Sequence, residues 1–171
     1  MLTDEGPSPE EVVVLLASAP ERALDLVGGM DEAALSYRHG PAFPTVQEAA
    51  DHLARSGIAS DAMIRRVYVD GQPELAAPAI HPDTSPAADA LRDVTETLQD
   101  AGRSRRRAAD LMRGMREEDW ARSVVEPELG ELSLLDLCRR IAAHEMGHLS
   151  QLRNLIALVP EHEDSVPVLP G

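Results

Sequence analysis

An apolar stripe with helical spacing, between residues 86 and 115, constrains the fold most. Its members recur at steps of three, four or seven residues, and they are Leu91, Val94, Leu98, Ala101, Ala108, Met112 and Met115. Such a stripe covers one side of an α-helix and must be buried against other apolar faces. Ser85 followed by Pro86 is typical of a helix start. The pattern predicts a long amphipathic helix that packs against other helices.

Three further segments open with helix-capping signatures. In each, a hydroxyl residue precedes an acidic residue by three positions, as in Ser8–Glu11, Thr45–Glu48 and Ser133–Asp136. Pro20 is expected to kink or restart the first of these helices, which ends at Gly28. The second continues toward Val67, and Pro160 stops the last one. Residues 70–86 are predicted to form a long loop, and 124–125 a short extended piece before a turn at 130.

The composition agrees with an all-α fold. Hydrophobic residues make up 43% of the chain and aromatic residues only 2%, so the apolar content is mostly aliphatic, which favours helices over strands. We therefore predict an all-α four-helix bundle. Residues 1–171 are expected to form a single domain, with 160–171 as a loose tail.

The charge and the remaining composition exclude several classes of protein. A net charge of −14 disfavours nucleic-acid binding, and the basic run Arg103–Arg107 is interpreted as a solvated helix face. No apolar run approaches the length of a membrane span, and the acidic N-terminus does not resemble a secretory signal, so we expect a cytoplasmic protein. The single cysteine, Cys138, lies on the apolar face of the last helix and is expected to be a small buried hydrophobe.

Chemistry-bearing residues are concentrated in the last helix, where His144 and His148 are four positions apart. This spacing places both imidazoles on one side of the helix, one turn apart, so that both can reach one metal ion. Glu145 falls in the middle of the apolar stripe, where an unpaired carboxylate would be costly. A metal, a cation or a histidine is expected to compensate it, unless an offset of the bundle lets it reach water.

The string HExxH at residues 144–148 also occurs in zinc peptidases, where the glutamate is the general base. A metzincin would have glycine and histidine where this chain has Gln151 and Asn154, and few residues remain downstream for another ligand. We therefore reject the peptidase interpretation. A third ligand is easier to supply from His52 in the second helix, although a lone helical histidine is more often structural. The histidines at 39, 81 and 162 are expected to be solvated.

The segment 45–53 with His52, followed at a distance by His144-xxx-His148-xx-Gln151, resembles the DinB/YfiT-like metalloenzymes. The resemblance implies a divalent metal ion (Zn, Ni or Fe) held by His52, His144 and His148, with open coordination positions, and a homodimer. Relatives usually have tryptophan where this chain has Phe43, which puts the shape of the pocket in question. Gly147 is unfavourable within a helix by about 1 kcal/mol, so close packing is its expected reason.

The resemblance also suggests the activity. The leading hypothesis is a metal-dependent transferase in which a low-molecular-weight thiol attacks a small electrophile, with Glu145 and Gln151 as candidate catalytic residues. One alternative is a metal-dependent hydrolase, and another is a dimeric stress protein that binds a metal or ligand without catalysis. The expected substrate is a small molecule rather than a nucleic acid or a membrane.

Overall fold

The computed structural model describes residues 6–76, Pro78 and 93–160. Its four long helices are α1 (Pro9–Val27), α3 (Val46–Tyr68), α4 (Val94–Arg113) and α6 (Leu134–Ala157). Two short helices, α2 (Glu32–Ser36) and α5 (Glu117–Trp120), lie in the connections, and an antiparallel hairpin of β1 (Ser123–Glu126) and β2 (Gly130–Ser133) precedes α6.

The four long helices form the predicted bundle. Both α1 and α3 pack against α4 and against α6, whereas α1 and α3 make few contacts with each other. The bundle therefore has α1 diagonally opposite α3, and α3 and α6 are neighbours whose facing side chains can meet. None of the helices among the described residues is both long and apolar enough to cross a bilayer.

The capping residues begin the helices where their spacing predicts. Ser8, Thr45 and Ser133 each accept a hydrogen bond from the backbone N–H three residues later, at 3.3, 3.0 and 3.0 Å. The extended piece and the turn before the last helix are also confirmed, because the hairpin turns at Gly130, whose φ of 77° suits glycine. Ahead of it, Leu75 donates a backbone hydrogen bond to Val125, so this part of the predicted loop is joined to β1.

The helices differ from the expectations at one point, include two that were not predicted, and leave one expectation outside the described residues. Pro20 does not restart the first helix: α1 continues through it, and the burial of Leu16 and Ala23 on either side holds the helix together. The short helices α2 and α5 were not predicted. The helix start expected at residues 85–86 lies outside the described residues, in which α4 begins after its cap Asp93.

The apolar core consists of two halves. One half contains Leu16, Ile64, Ala108 and Ile141, and the other contains residues such as Leu98. On three helices the halves are separated by a buried polar residue, namely Asp61 on α3, Arg105 on α4 and Glu145 on α6, together with Ser56 and Ser60. A polar layer therefore crosses the middle of the bundle.

This layer is an ion cluster centred on Arg105. Its Nη1 lies 2.7 Å from Oδ1 of Asp61, and its Nη2 bonds Oε1 of Glu145 and also reaches the carbonyl oxygen of Gly57 at 3.4 Å. The guanidinium is only 1% exposed, so the interpretation of the whole run 103–107 as a solvated face is wrong at this residue. Burial raises the pKa of both carboxyl groups, that of Glu145 to about 7.

Two helical glycines have opposite surroundings. A Cβ added at Gly57 would lie 3.1 Å from Nη2 of Arg105 and 3.5 Å from Oε1 of Glu145, whereas a Cβ added at Gly147 would meet no atom within 4 Å. Gly147 is exposed, so the expectation that close packing explains it is wrong within this chain.

The two glycines give a matched stability test. Gly147→Ala is expected to raise the free energy of unfolding by about 0.5–1 kcal/mol, because alanine favours the helix. Gly57→Ala is expected to lose this gain and to lower stability, because the guanidinium is held by two carboxylates and cannot move away cheaply. Urea unfolding of both variants measures the difference. Equal stabilisation by both substitutions would show that the guanidinium of Arg105 can shift away from residue 57 at little cost in free energy.

Candidate metal centre

The three predicted ligand histidines come together between α3 and α6. His52 is in the second turn of α3, and His144 and His148 project one turn apart from the middle of α6. One ring nitrogen from each lies within 4.8 Å of the others. The ring centroid of His52 is 4.6 Å from that of His148 and 6.5 Å from that of His144. His52 on α3 is therefore a neighbour of the histidine pair on α6, as the sequence predicted.

The local sequence explains this approach of the two helices. Ala49 and Ala50, just before His52, are buried and small, so that α6 can pack closely there. Leu149 and Leu152 on α6 belong to the same half of the core as these alanines. The histidine thus stands at the margin of an apolar interface that fixes its helix.

The histidines are partly exposed rather than sealed in the core. The Nε2 atoms of His144 and His148 are 3.0 Å apart, and their ring planes are nearly perpendicular, at 89°. Two nitrogens that bind one zinc ion at about 2.0–2.1 Å stand roughly 3.0–3.5 Å apart. The α6 pair already meets this spacing, and its partial exposure leaves room for a further ligand.

Gln151 fixes the orientation of one histidine. Its Oε1 lies 3.1 Å from Nδ1 of His148, one turn further along α6. A carbonyl oxygen only accepts, so Nδ1 of His148 carries the proton and donates it. The lone pair is then on Nε2, the atom that faces His144. Contacts of this kind set the tautomer of metal-binding histidines.

The donor set suits a divalent transition metal. Among the residues that the structure describes, the cluster contains three imidazoles and no thiolate or carboxylate, and neutral imidazole binds zinc, nickel and iron. Three protein ligands with a remaining position are typical of catalytic rather than structural zinc sites. His52, His144 and His148 would hold the ion, and the two Nε2 atoms on α6 already have the spacing that one ion requires.

Glu145 faces the core instead of this cluster. Its side chain is 1% exposed and its carboxylate bonds the guanidinium of Arg105, so the compensating group is a cation supplied by α4. The alternative in which the carboxylate reaches water is wrong. A direct catalytic role for Glu145 stays a prediction.

Cys138 takes no part in the cluster. It is fully buried in the apolar core, as expected, and burial raises the pKa of its thiol to about 12. His39 is exposed and its ring contacts that of Phe43, with centroids 5.4 Å apart. The histidines at 81 and 162 lie outside the described residues.

Arg105 is the important residue that sequence reasoning missed. A signal was present: the apolar stripe of the third predicted helix has a seven-residue step between Ala101 and Ala108, and Arg105 occupies the gap. An arginine in the gap of an otherwise apolar stripe indicates a buried cation that needs buried carboxylates.

The contact between Gln151 and His148 gives a prediction for metal affinity. Gln151→Ala removes the acceptor that fixes the ring of His148, so the dissociation constant for Zn²⁺ is expected to rise about tenfold, the lower end for such contacts. Asn154→Ala, an exposed amide one turn further along α6, is the matched control and is expected to change nothing. Competition with a chromophoric chelator measures both. The same affinity in the two variants would contradict the assigned role.

Comparisons with known proteins place the chain in a family. The family profile of the DinB superfamily matches residues 15–152. The fold is similar to that of YfiT from Bacillus subtilis, with a TM-score of 0.71, 18% identity and 91% of each chain covered; that protein is described as a probable metal-dependent hydrolase with an unusual four-helix bundle topology. Comparison with curated protein sequences gives no significant match. The chain therefore belongs to the DinB superfamily.

Proposed function

We propose that this protein is a metal-dependent enzyme in which His52, His144 and His148 bind one Zn, Ni or Fe ion. The observation that carries the proposal is the convergence of three imidazole nitrogens within 4.8 Å, from two different helices. Isolated core histidines would not require such convergence. Partial exposure of the three side chains supports access by a small-molecule substrate.

A divalent ion held by these histidines would lower the pKa of a water or thiol and so would supply a nucleophile at neutral pH. The protein's own contribution is orientation. Gln151 holds the proton on Nδ1 of His148, so the lone pair is on Nε2, which lies 3.0 Å from Nε2 of His144. The buried alanines of α3 let the two helices approach and hold His52 beside the α6 pair.

For the nucleophile, we propose a low-molecular-weight thiol from solution that attacks a small electrophile. Cys138 is buried and its thiol is hard to ionise, so it does not supply this group. The carboxylate nearest in sequence, that of Glu145, is bound to Arg105. A free thiol has a pKa of about 8.5 and ionises with little help, whereas water needs far more activation. Because the carboxylate of Glu145 is buried against Arg105, it is not open to a solvent water, and this favours a thiol substrate.

Hydrolysis is the second candidate function. The description of YfiT as a probable metal-dependent hydrolase supports it, and the same three histidines would serve. The two reactions differ in the source of the nucleophile, so the need for added thiol distinguishes them. Assembly as a homodimer and a cytoplasmic location stay predictions from the sequence.

The metal site itself is tested by stoichiometry. Protein purified without chelating resin is expected to bind one Zn²⁺ per chain, and His52→Ala is expected to weaken binding by at least about a hundredfold, since one of three ligands is lost. His39→Ala, at an exposed histidine on a connection, is the control. Elemental analysis and calorimetric titration provide the readout. Unchanged binding by the His52 variant would remove the three-histidine site.

Activity is tested with a panel of thiols and small electrophiles. The metal-loaded protein is expected to form the thioether product, and His148→Ala or a chelator is expected to slow this at least about a hundredfold, since a metal contributes several kcal/mol. Ester and amide substrates without thiol form the second arm. Turnover there, with none in the thiol arm, would favour hydrolysis, and equal rates for the wild type and His148→Ala would contradict both.

A further inference from the structure

We propose that Arg105 is a positioning residue for the histidine cluster: its guanidinium joins α3 to α6 and sets the separation of His52 from His144 and His148. The inference rests on the proposed metal site. Arg105 belongs to α4, which carries none of the three histidines.

The contacts of Arg105 are divided between the two helices that carry the histidines. On α3 it forms an ion pair with the carboxylate of Asp61 and reaches the backbone carbonyl of Gly57. On α6 it bonds the carboxylate of Glu145, the residue next to His144. One rigid planar group therefore holds a backbone atom of α3 and a side chain of α6 at the same time.

These contacts lie close to the cluster along both helices. Gly57 follows His52 by five residues, a rise of about 7.5 Å along α3. Glu145 projects about 100° away from His144 around α6, so the guanidinium acts from the core side while the histidines face outward. A shift of α6 relative to α3 at this layer moves the imidazoles by a similar distance.

The histidine cluster is sensitive to such shifts. The two Nε2 atoms of the α6 pair are 3.0 Å apart and belong to a single helix, whereas all the ligand atoms of the cluster, with His52 on α3 included, lie within 4.8 Å of one another. Ligands of one zinc ion stand roughly 3.0–3.5 Å apart, so binding depends on how closely α3 brings His52. The separation of the two helices is the variable that Arg105 controls.

Stability alone does not explain the ion cluster. Buried ion pairs can often be replaced by apolar residues of similar volume with no loss of stability. If the three charged residues were apolar, the two halves of the core on either side of the layer could form one continuous core. What the guanidinium adds is a fixed distance between three helices, because its charge-assisted hydrogen bond to Glu145 and its ion pair with Asp61 restrict the separation more than apolar contacts do.

The experiment compares four proteins: wild type, Arg105→Lys, Arg105→Met and Arg106→Met. The last removes the same charge from an exposed neighbour on α4 and is the matched control. Circular dichroism and urea unfolding measure the fold. Chelator competition with Zn²⁺ measures affinity, and the visible spectrum of the Co²⁺-loaded protein reports the arrangement of the ligands.

We expect Arg105→Lys to fold, because it keeps a buried cation, and to bind Zn²⁺ about tenfold to a hundredfold more weakly, with an altered Co²⁺ spectrum. Arg106→Met is expected to match the wild type in both readouts. Wild-type affinity and spectrum in folded Arg105→Lys would overturn the inference. Failure of the wild type itself to bind metal would instead overturn the proposed function.

A further variant keeps the test decisive if the single substitutions do not fold. Asp61→Leu, Arg105→Met and Glu145→Met together replace the ion cluster with apolar side chains. If this triple variant is folded but binds Zn²⁺ at least tenfold more weakly, the positioning role is supported. Wild-type binding by the triple variant, or loss of fold in every variant, would contradict it and leave the cluster a purely structural element.

Discussion

The interaction on which the rest of the structure depends is the contact of one buried guanidinium with two carboxylates. Asp61, Arg105 and Glu145 come from three different helices, and each is almost wholly removed from water. A buried charge without a partner costs several kcal/mol, so none of the three is tolerable without the others. The helices can therefore pack in only one register, the one that lets Arg105 reach both carboxylates. Gly57 belongs to the same constraint, since a larger residue would press on the guanidinium.

This register also decides where the histidines stand. The polar layer follows the histidine on α3, and on α6 its residue Glu145 lies between His144 and His148. Apolar packing by Ala50 and Leu149 brings the helices together but tolerates sliding. The ion cluster does not, because a guanidinium and a carboxylate bond only at defined distances and angles. Apolar packing thus brings α3 and α6 together, and the ion cluster fixes their register at the histidines.

The fold could be predicted from the sequence because its signals are local. Capping residues such as Thr45 and Ser133 act over one turn, and the apolar stripes have the period of the helix. The pair on α6 is likewise a local pattern, whereas His52 was proposed as a third ligand from its place in the second predicted helix and gained support from the resemblance. The partner of Glu145 could not be predicted with certainty, because a contact 40 residues away depends on how the helices pack. Arg105 lies inside a basic run that was interpreted as an exposed helix face. Its position in the gap of the apolar stripe was the only sequence signal of its burial.

The motif at the centre of α6 shows how the surrounding fold determines what a short string can do. In HExxH, the glutamate projects about 100° from the first histidine, so its carboxylate and the imidazoles act together only if open space lies between them. In this bundle that side of α6 faces α4, and Arg105 fills it. The carboxylate is thereby held against the guanidinium of Arg105, while Gln151 contacts Nδ1 of His148 and orients that ring. On a helix that faces open space, this spacing lets the glutamate act as the base of a peptidase. Inside this bundle, the same spacing gives a histidine pair next to a buried ion pair.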